Sequence, residues 1–146
     1  MNKFLVAAFL ALSVTACASG QGGNTEWMRS YGKTFYEPNQ GMAAVYIVRD
    51  DPGGQDATPL SLVMSQRPVG SLSGLTWMRL DLQPALYDLR AFGTQGNTEL
   101  IITVNAGQSR FLLIEPKPPG NADLREISQA EGRRLVRKGQ AVASSL

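Results

Sequence analysis

The sequence predicts a mainly β protein, an antiparallel β-sandwich of about six to eight short strands with one short helix after the strands. Two observations carry this prediction. From Gly41 onward, short β-prone runs alternate with turn residues, and no helical segment separates them before Ser128. At Ser128 the pattern changes to that of a helix start, which places a single helix behind the strands.

Each predicted strand is a short run bounded by glycine, proline, asparagine or aspartate. A hairpin is predicted with its tip near Gln66-Arg67-Pro68, and a second hairpin with Asn105-Ala106-Gly107 as its turn. The proline and glycine residues of 116–123 predict a long loop. The predicted strands are Ala43–Arg49, Leu60–Ser65, Val69–Leu72, Thr76–Leu82, Leu86–Phe92, Glu99–Val104, Gln108–Pro116 and Leu124–Ile127.

The fifth of these runs, Leu86–Phe92, has the clearest alternation. It places Tyr87, Leu89 and Ala91 on one face, and Asp88 and Arg90 on the other. We therefore predict a half-buried strand.

The predicted helix begins with a capping box, in which Ser128 and Glu131 satisfy free backbone amides of the first turn. Gly139 stands where the helix should end. Four basic residues suit the negative end of the helix dipole, and a solvated face is favoured over a binding site for them: Arg133, Arg134, Arg137 and Lys138.

The first residues have the order of an export signal. Lys3 is followed by an apolar run at positions 4–14, which is too short to cross the roughly 30 Å of a bilayer's hydrocarbon core as a helix. Residues 1–16 are therefore predicted to be a signal peptide that is removed and takes no part in the fold.

The residues behind this run, Val14-Thr15-Ala16-Cys17, resemble the lipobox of bacterial lipoproteins. The resemblance implies cleavage before Cys17, a diacylglycerol thioether on its sulfur, and acylation of the new amino terminus. Ala18, rather than aspartate, implies sorting to the outer membrane, facing the periplasm, in a Gram-negative source. The alternative is a buried free cysteine in a core segment, which would not begin with a signal-like charge order.

A tether and an aromatic segment follow the cysteine. Residues 18–26 are rich in glycine, serine and asparagine, and we expect them to be flexible. Trp27, Tyr31 and Phe35 then recur every four residues, as on one face of a helix. These aromatic side chains either pack on the domain or form a surface for a partner or the membrane interface.

Composition excludes several classes of function. The chain holds 14 basic and 12 acidic residues, a net charge of +2, which argues against nucleic-acid binding and against a polybasic membrane patch. It has no histidine, which excludes Ser-His-Asp and Cys-His catalysis. Its one cysteine is assigned to the lipid, so no disulfide is expected, and no cofactor is implied.

Three segments contain residue types that occur in binding sites. The carboxylates of Asp50, Asp51 and Asp56 lack the spacing of a calcium loop, so a solvated turn is favoured and no metal is predicted. Residues 70–74 lack the lysine of a phosphate loop and are predicted to be a strand end and turn. Trp77 and Arg79 share one face of a strand, so an exposed Trp77 could stack on a sugar or peptidoglycan fragment. A core or rim tryptophan is the simpler alternative.

Several stretches between Gly41 and Gly139 together resemble an uncharacterised domain family of small bacterial lipoproteins. They are GMAAVYIVRD, SQRPVGSL, TWMRLDLQPALYDLRAF, ITVNAGQSRFLLIE and ISQAEGRRLV. More distantly, the pattern is similar to PEGA-type and transthyretin-like sandwiches. Pro84-Ala85 departs from the family's usual Pro-Gly turn. The resemblance implies a fold and a location but no catalytic residues.

The chain is therefore divided into a signal peptide (1–16), a lipidated tether with an aromatic segment (17–40), a sandwich domain (41–139) and a tail (140–146). The function expected first is that of a non-enzymatic envelope lipoprotein, attached to the membrane through Cys17 and serving as an accessory or interaction module for another envelope protein. A small-ligand or peptidoglycan-fragment binder using Trp77 and Arg79 is second, and a histidine-free hydrolase with an acid pair is third.

Overall fold

The computed structural model describes residues 33–50 and 58–146, which form two packed sheets and one helix. The predicted fold class is confirmed. The elements are β1 (Ala43–Arg49), β2 (Leu60–Met64), β3 (Arg67–Leu72), β4 (Thr76–Leu82), β5 (Ala85–Phe92), β6 (Asn97–Val104), β7 (Ser109–Lys117), β8 (Asn121–Ile127), α1 (Gln129–Lys138) and β9 (Gln140–Ala141).

Five strands form one sheet in the order β8-β7-β1-β4-β9, called sheet A, and four form sheet B in the order β3-β2-β5-β6. Sheet B is antiparallel throughout. Sheet A contains two parallel pairs, β1 with β7 and β4 with β9, so the sandwich is largely rather than wholly antiparallel. The parallel pair places β1 beside the buried run Phe111–Ile114 of β7 in the middle of sheet A, as expected for strands buried on both faces.

The main core lies between the sheets. From β1, Ala43, Val45 and Ile47 point into it, and they meet inward residues of β5 such as Leu89 and Ala91. Tyr87 also packs against this core, while Asp88 and Arg90 pair on the outer face. The alternation predicted for β5 is therefore confirmed.

A second core covers the opposite face of sheet A. Ala44, Tyr46 and Val48 of β1 point away from sheet B and are covered by helix α1. The helix contributes Leu135 and Val136, both buried. The domain therefore has three layers: sheet B, sheet A and the helix.

Two connections differ from the sequence prediction. The turn Asn105-Ala106-Gly107 was predicted to close a hairpin, but β6 pairs with β5, whereas β7 pairs with β1 and β8. That prediction was wrong because β7 carries the continuously buried run Phe111–Ile114 and requires a central position, whereas β6 has exposed residues on its outer face. The turn instead carries the chain from sheet B to sheet A.

The long loop predicted over 116–123 is also wrong. Strands β7 and β8 continue as a hairpin as far as the pair Lys117↔Asn121, so the connection is only 118–120. Pro116 is tolerated inside β7 because it lies past Ile114, the last residue of β7 that pairs with β1. On the β1 side, Pro116 has no strand neighbour, so its missing amide hydrogen costs no hydrogen bond between strands.

The β2–β3 hairpin is confirmed, but its tip is one residue earlier than predicted. Ser65 and Gln66 form a two-residue turn with φ of 46° and 69°, the conformation of a type I′ turn. Pro68 belongs to β3, where an edge strand accepts it.

Residues beyond Gly139 close one side of the sandwich. Gln140–Ala141 adds to sheet A beside β4, and the Val142 amide donates to the Trp77 carbonyl at 2.9 Å. The Ser145 amide then donates to the Val69 carbonyl of sheet B at 2.8 Å. The segment predicted to be a tail therefore bridges the two sheets.

The Ser128 half of the predicted capping box and the helix end at Gly139 are confirmed. The Ser128 hydroxyl accepts from the Glu131 amide at 3.2 Å, and the Gly139 amide donates to the Leu135 carbonyl at 3.0 Å. Gly139 has an ordinary φ of −86°, so positive φ does not explain this glycine. A Cβ atom there would lie 2.9 Å from the Leu75 carbonyl oxygen and 3.0 Å from the Trp77 ring, so close packing explains it.

Gly132 lets the helix approach sheet A. A Cβ atom at this position would lie 2.3 Å from the Phe111 ring and 2.5 Å from the Phe111 Cβ, which rotation of the ring cannot relieve. Because Phe111 is itself stacked on Tyr46, the ring has no free side to move towards.

Gly132→Ala therefore tests how closely the helix packs. Helix propensity alone would make this change stabilising by about 1 kcal/mol. We expect the clash to dominate and to lower the free energy of unfolding by about 1–3 kcal/mol, measured by urea denaturation followed by circular dichroism. Arg134→Ala, on the exposed face of the same helix, is the control and should stay within about 0.5 kcal/mol of the native chain. A stabilised Gly132→Ala protein would contradict the packing described here.

Candidate functional site

A group of aromatic side chains with a buried arginine lies on the helix side of sheet A. Phe35, Tyr46, Trp77 and Phe111 form what we call the aromatic layer. Tyr46 is its centre: its ring stacks on Phe111 with centroids 4.8 Å apart and planes inclined by 9°. The Trp77 centroid lies 6.2 Å and the Phe35 centroid 5.8 Å from that of Tyr46, both in tilted geometry. Such pairs contribute about 0.5–1.5 kcal/mol each beyond their buried area.

Strand register produces this layer. Tyr46 of β1 is directly opposite Arg79 of β4 on one side and Phe111 of β7 on the other. Trp77 lies two residues before Arg79 and therefore points to the same face. The sequence prediction that Trp77 and Arg79 share a face is confirmed.

Arg79 is held on all sides within this layer. Its guanidinium donates to the Tyr46 hydroxyl at 3.0 Å, to the Tyr36 carbonyl at 3.2 Å and to Asp81 at 2.8 Å. The Arg79 Cζ atom also lies 5.5 Å from the centre of the Tyr46 ring. Only 5% of the side chain is exposed, so the charge is neutralised inside the fold.

Trp77 is 1% exposed, so its ring presents no face to solvent in this structure. It packs against Tyr46 and lies beneath Gly139. Its Nε1 atom is buried without a hydrogen-bond partner among the described residues. The simpler alternative of a core tryptophan is the arrangement that the structure shows.

Phe35 connects the segment before β1 to helix α1. Its ring lies over the aromatic layer, and the guanidinium carbons of Arg133 and Arg137 lie 5.1 Å and 5.4 Å from its centroid. Phe35 therefore packs on its own domain, the first of the two alternatives for these aromatic residues. Cys17, Trp27 and Tyr31 lie outside the described residues.

The other two segments, residues 70–74 and the aspartates after β1, show no binding-site geometry among the described residues. Residues 67–72 form β3 and residues 73–75 the turn to β4, as predicted for the stretch 70–74. Of the three aspartates in the predicted turn, only Asp50 lies within the described residues. Within 33–50 and 58–146, no group of three or more cysteine, aspartate or glutamate side chains could hold a metal ion.

In the part of the chain that the structure describes, open cavities lie at both ends of the sandwich. One, of about 420 Å³, lies between the end of sheet B and the β7–β8 turn, and its polar lining includes Thr58, Thr94, Lys117 and Asn121. The other, of about 610 Å³, surrounds Arg110 and Glu126. Neither cavity has a pair of carboxylates among the residues described as lining it, which is the arrangement that a histidine-free hydrolase would require.

Arg110 and Glu126 form a bidentate pair across β7 and β8, with Nε of Arg110 2.7 Å from Oε1 of Glu126. Hydrogen bonding to Glu126 raises the pKa of Arg110 above its ordinary value, and burial opposes this. Since the guanidinium is charged at every physiological pH in any case, this pair provides no titratable group for chemistry.

Sequence reasoning missed two features. Arg49 is 2% exposed and donates to the Leu72 carbonyl at 2.9 Å and to the Thr58 carbonyl, so a buried charge holds the ends of β1, β2 and β3 together. The second is the meeting of the segment before β1 with helix α1, where the Lys33 Nζ donates to the Arg137 carbonyl at 3.2 Å. The sequence signal for the second feature was the spacing of Trp27, Tyr31 and Phe35, which left packing on the domain as one of two alternatives but did not identify the helix as the partner.

Among the described residues, no helix has the length and apolar character needed to span a bilayer. No model of a known protein family matches the chain, and no curated protein matches it. The likeness to the lipoprotein family therefore stays a resemblance carried by the motifs quoted above.

Arg79 and Arg90 form a matched pair of tests. Each binds an aspartate two positions away on its own strand at 2.8 Å, but the Arg79 side chain is 5% exposed and that of Arg90 46%. We expect Arg79→Ala to lower the free energy of unfolding by about 2–4 kcal/mol, because buried partners lose their donor. Arg90→Ala should change it by less than about 1 kcal/mol.

Chemical denaturation of both variants at neutral pH measures the difference. If the two variants lost equal free energy of unfolding, burial of Arg79 would contribute nothing to the strength of its interactions.

Proposed function

We propose that this chain is a bacterial envelope lipoprotein, anchored to a membrane by lipid on Cys17, whose folded domain is a non-enzymatic accessory or interaction module. The observation that carries the proposal is the lipobox-like Val14-Thr15-Ala16-Cys17 behind an apolar run of signal length. With Ala18 next, we propose the outer membrane, facing the periplasm, as the location in a Gram-negative cell.

Anchoring strength supports a stable attachment. Each buried methylene contributes about 0.8 kcal/mol, and a single acyl chain gives only marginal binding, so two or three chains are needed. The diacylglycerol thioether and the amino-terminal acyl group implied by the lipobox would meet this requirement at Cys17.

The non-enzymatic part of the proposal rests on how the chemistry-bearing residues are used. Trp77 and Arg79, the pair considered for ligand binding, are both occupied in internal packing and hydrogen bonding. The absence of histidine in the whole sequence excludes the commonest general base. A glycan-binding role for Trp77 has no exposed ring to support it.

Intact-mass spectrometry of protein extracted from native membranes tests the anchor. We expect a mature chain that begins at Cys17 and carries the added mass of a diacylglycerol group and an amino-terminal acyl chain. Cys17→Ser should abolish both the added mass and the cleavage, because the thioether requires the sulfur.

Thr15→Ser is a suitable control, because it alters the same motif and keeps the cysteine. A native protein without the added lipid mass would contradict the proposed anchor. A Cys17→Ser protein that keeps the added lipid mass and the membrane attachment would also contradict it.

A further inference from the structure

Helix α1 carries four basic side chains on its outward face. Arg133, Arg134, Arg137 and Lys138 cover an arc opposite the buried Gly132, Leu135 and Val136. At about 100° per residue, the four basic positions span roughly 140° of the helix circumference. Together with Lys33, which hydrogen-bonds to the helix at Arg137, we call these residues the basic face.

The basic face lacks the acidic partners found elsewhere on the molecule. On the sheets, Arg90, Arg110 and Arg125 each form an ion pair with an aspartate or glutamate. Within the described residues no ion pair joins a member of the basic face to an acid. The helix has four bases and one acid, and Lys33 adds a fifth base, so this region carries a net charge of +4 in a chain whose total is only +2.

Helix stability alone does not explain the arrangement. Arg137 and Lys138 in the last turn interact favourably with the helix dipole, but Arg133 and Arg134 lie one turn earlier. Like charges at i and i+4, as in Arg133/Arg137 and Arg134/Lys138, cost about 0.2–0.5 kcal/mol per pair. An external anion would remove this repulsion.

Two of the guanidinium groups are held in place before any ligand arrives. Arg133 and Arg137 both lie over the Phe35 ring, and the Arg133 Nε atom is buried without a hydrogen-bond partner among the described residues. A fixed pair of cations loses less conformational entropy on binding an anionic group than two free side chains would.

The route of the chain makes a bilayer surface an available source of anions. Lys33 and Phe35 bring the segment that precedes β1 directly onto the basic face. Cys17 lies 16 residues before Lys33, a length that can span at most about 50–60 Å. A lipid on Cys17 would therefore keep this face within reach of the bilayer surface.

We propose that the basic face binds the anionic lipid headgroups of the membrane that carries the protein. The binding itself depends on charge and geometry alone, whereas its restriction to that membrane rests on the proposed lipid anchor. Basic residues near an anionic bilayer contribute about 1 kcal/mol each, and the attraction falls off within a Debye length of roughly 10 Å.

The test uses the unlipidated chain from Ala18 onward, which retains every described residue, and measures co-sedimentation with vesicles. We expect binding to vesicles of phosphatidylcholine with phosphatidylglycerol, little binding to phosphatidylcholine alone, and loss of binding as NaCl is added. Replacing Arg133, Arg134, Arg137 and Lys138 by glutamine should weaken binding to the anionic vesicles by about a hundredfold or more.

The matched control removes the same number of charges from exposed positions on the sheets, by replacing Arg67, Arg90, Lys117 and Arg125 with glutamine. It should weaken binding by less than about tenfold, since these positions lie off the helix. If the fourfold helix variant does not fold, as judged by circular dichroism, Arg134→Gln/Lys138→Gln tests the same face without disturbing Phe35.

Equal loss of binding in the helix and sheet variants would overturn the proposal, because net charge rather than this face would then be responsible. Failure of the native chain to bind anionic vesicles would also overturn it, as would binding to duplex DNA or polyphosphate without binding to vesicles. Because this chain lacks Cys17, failure here is distinguishable from failure of the anchor, which the mass measurement reports.

Discussion

Strand β1 is buried along all seven of its residues, and the rest of the structure depends on that constraint. A strand in this position needs hydrogen-bonded neighbours on both edges and apolar cover on both faces. The edges are satisfied by β4 and β7, and the faces by sheet B and helix α1. Fully burying one large apolar side chain contributes about 1.5–3 kcal/mol to stability. Because helix α1 buries several such side chains on one face of β1, it is a structural layer of the domain.

The same constraint gives the molecule two unlike sides. Because one face of helix α1 is committed to β1 and β7, its polar residues must point away from the sheets. The outer face of sheet B carries paired charges, such as Arg90 with Asp88 and Glu99. The outward face of the helix carries bases without acidic partners among the described residues. Phe35 packs on this second side, so the segment before β1 lies next to the basic residues of the helix.

Sequence periodicity predicted the elements well. Strands β1 and β4 have the bounds that were predicted from their apolar patterns, and Ser128 caps the helix. Periodicity shows which face of a strand is buried, but it does not identify the strand's neighbours. The pairing of β7 with β1 depends on residues more than 60 positions apart in sequence, such as Ala44 and Ser109. A prediction from adjacent segments therefore produced a β6–β7 hairpin that the structure does not contain.

The candidate site was predictable only in part. That Trp77 and Arg79 share a face follows from their spacing of two, but that face is covered by Phe35, more than 40 residues earlier, and by helix α1, more than 50 residues later. The close approach of Gly132 to Phe111 was not predicted, because it is a property of the folded chain. The exposure of these side chains was decided by tertiary structure.

The most direct test of the account is the orientation of the domain on a bilayer. We would measure paramagnetic broadening of backbone amide signals in the lipidated full-length protein, embedded in anionic nanodiscs whose headgroups carry a gadolinium chelate. We expect the amides of helix α1 to broaden most and those of β5 and β6 least. Equal broadening on both sides, or stronger broadening of β5 and β6, would contradict the claim that the helix side meets the membrane.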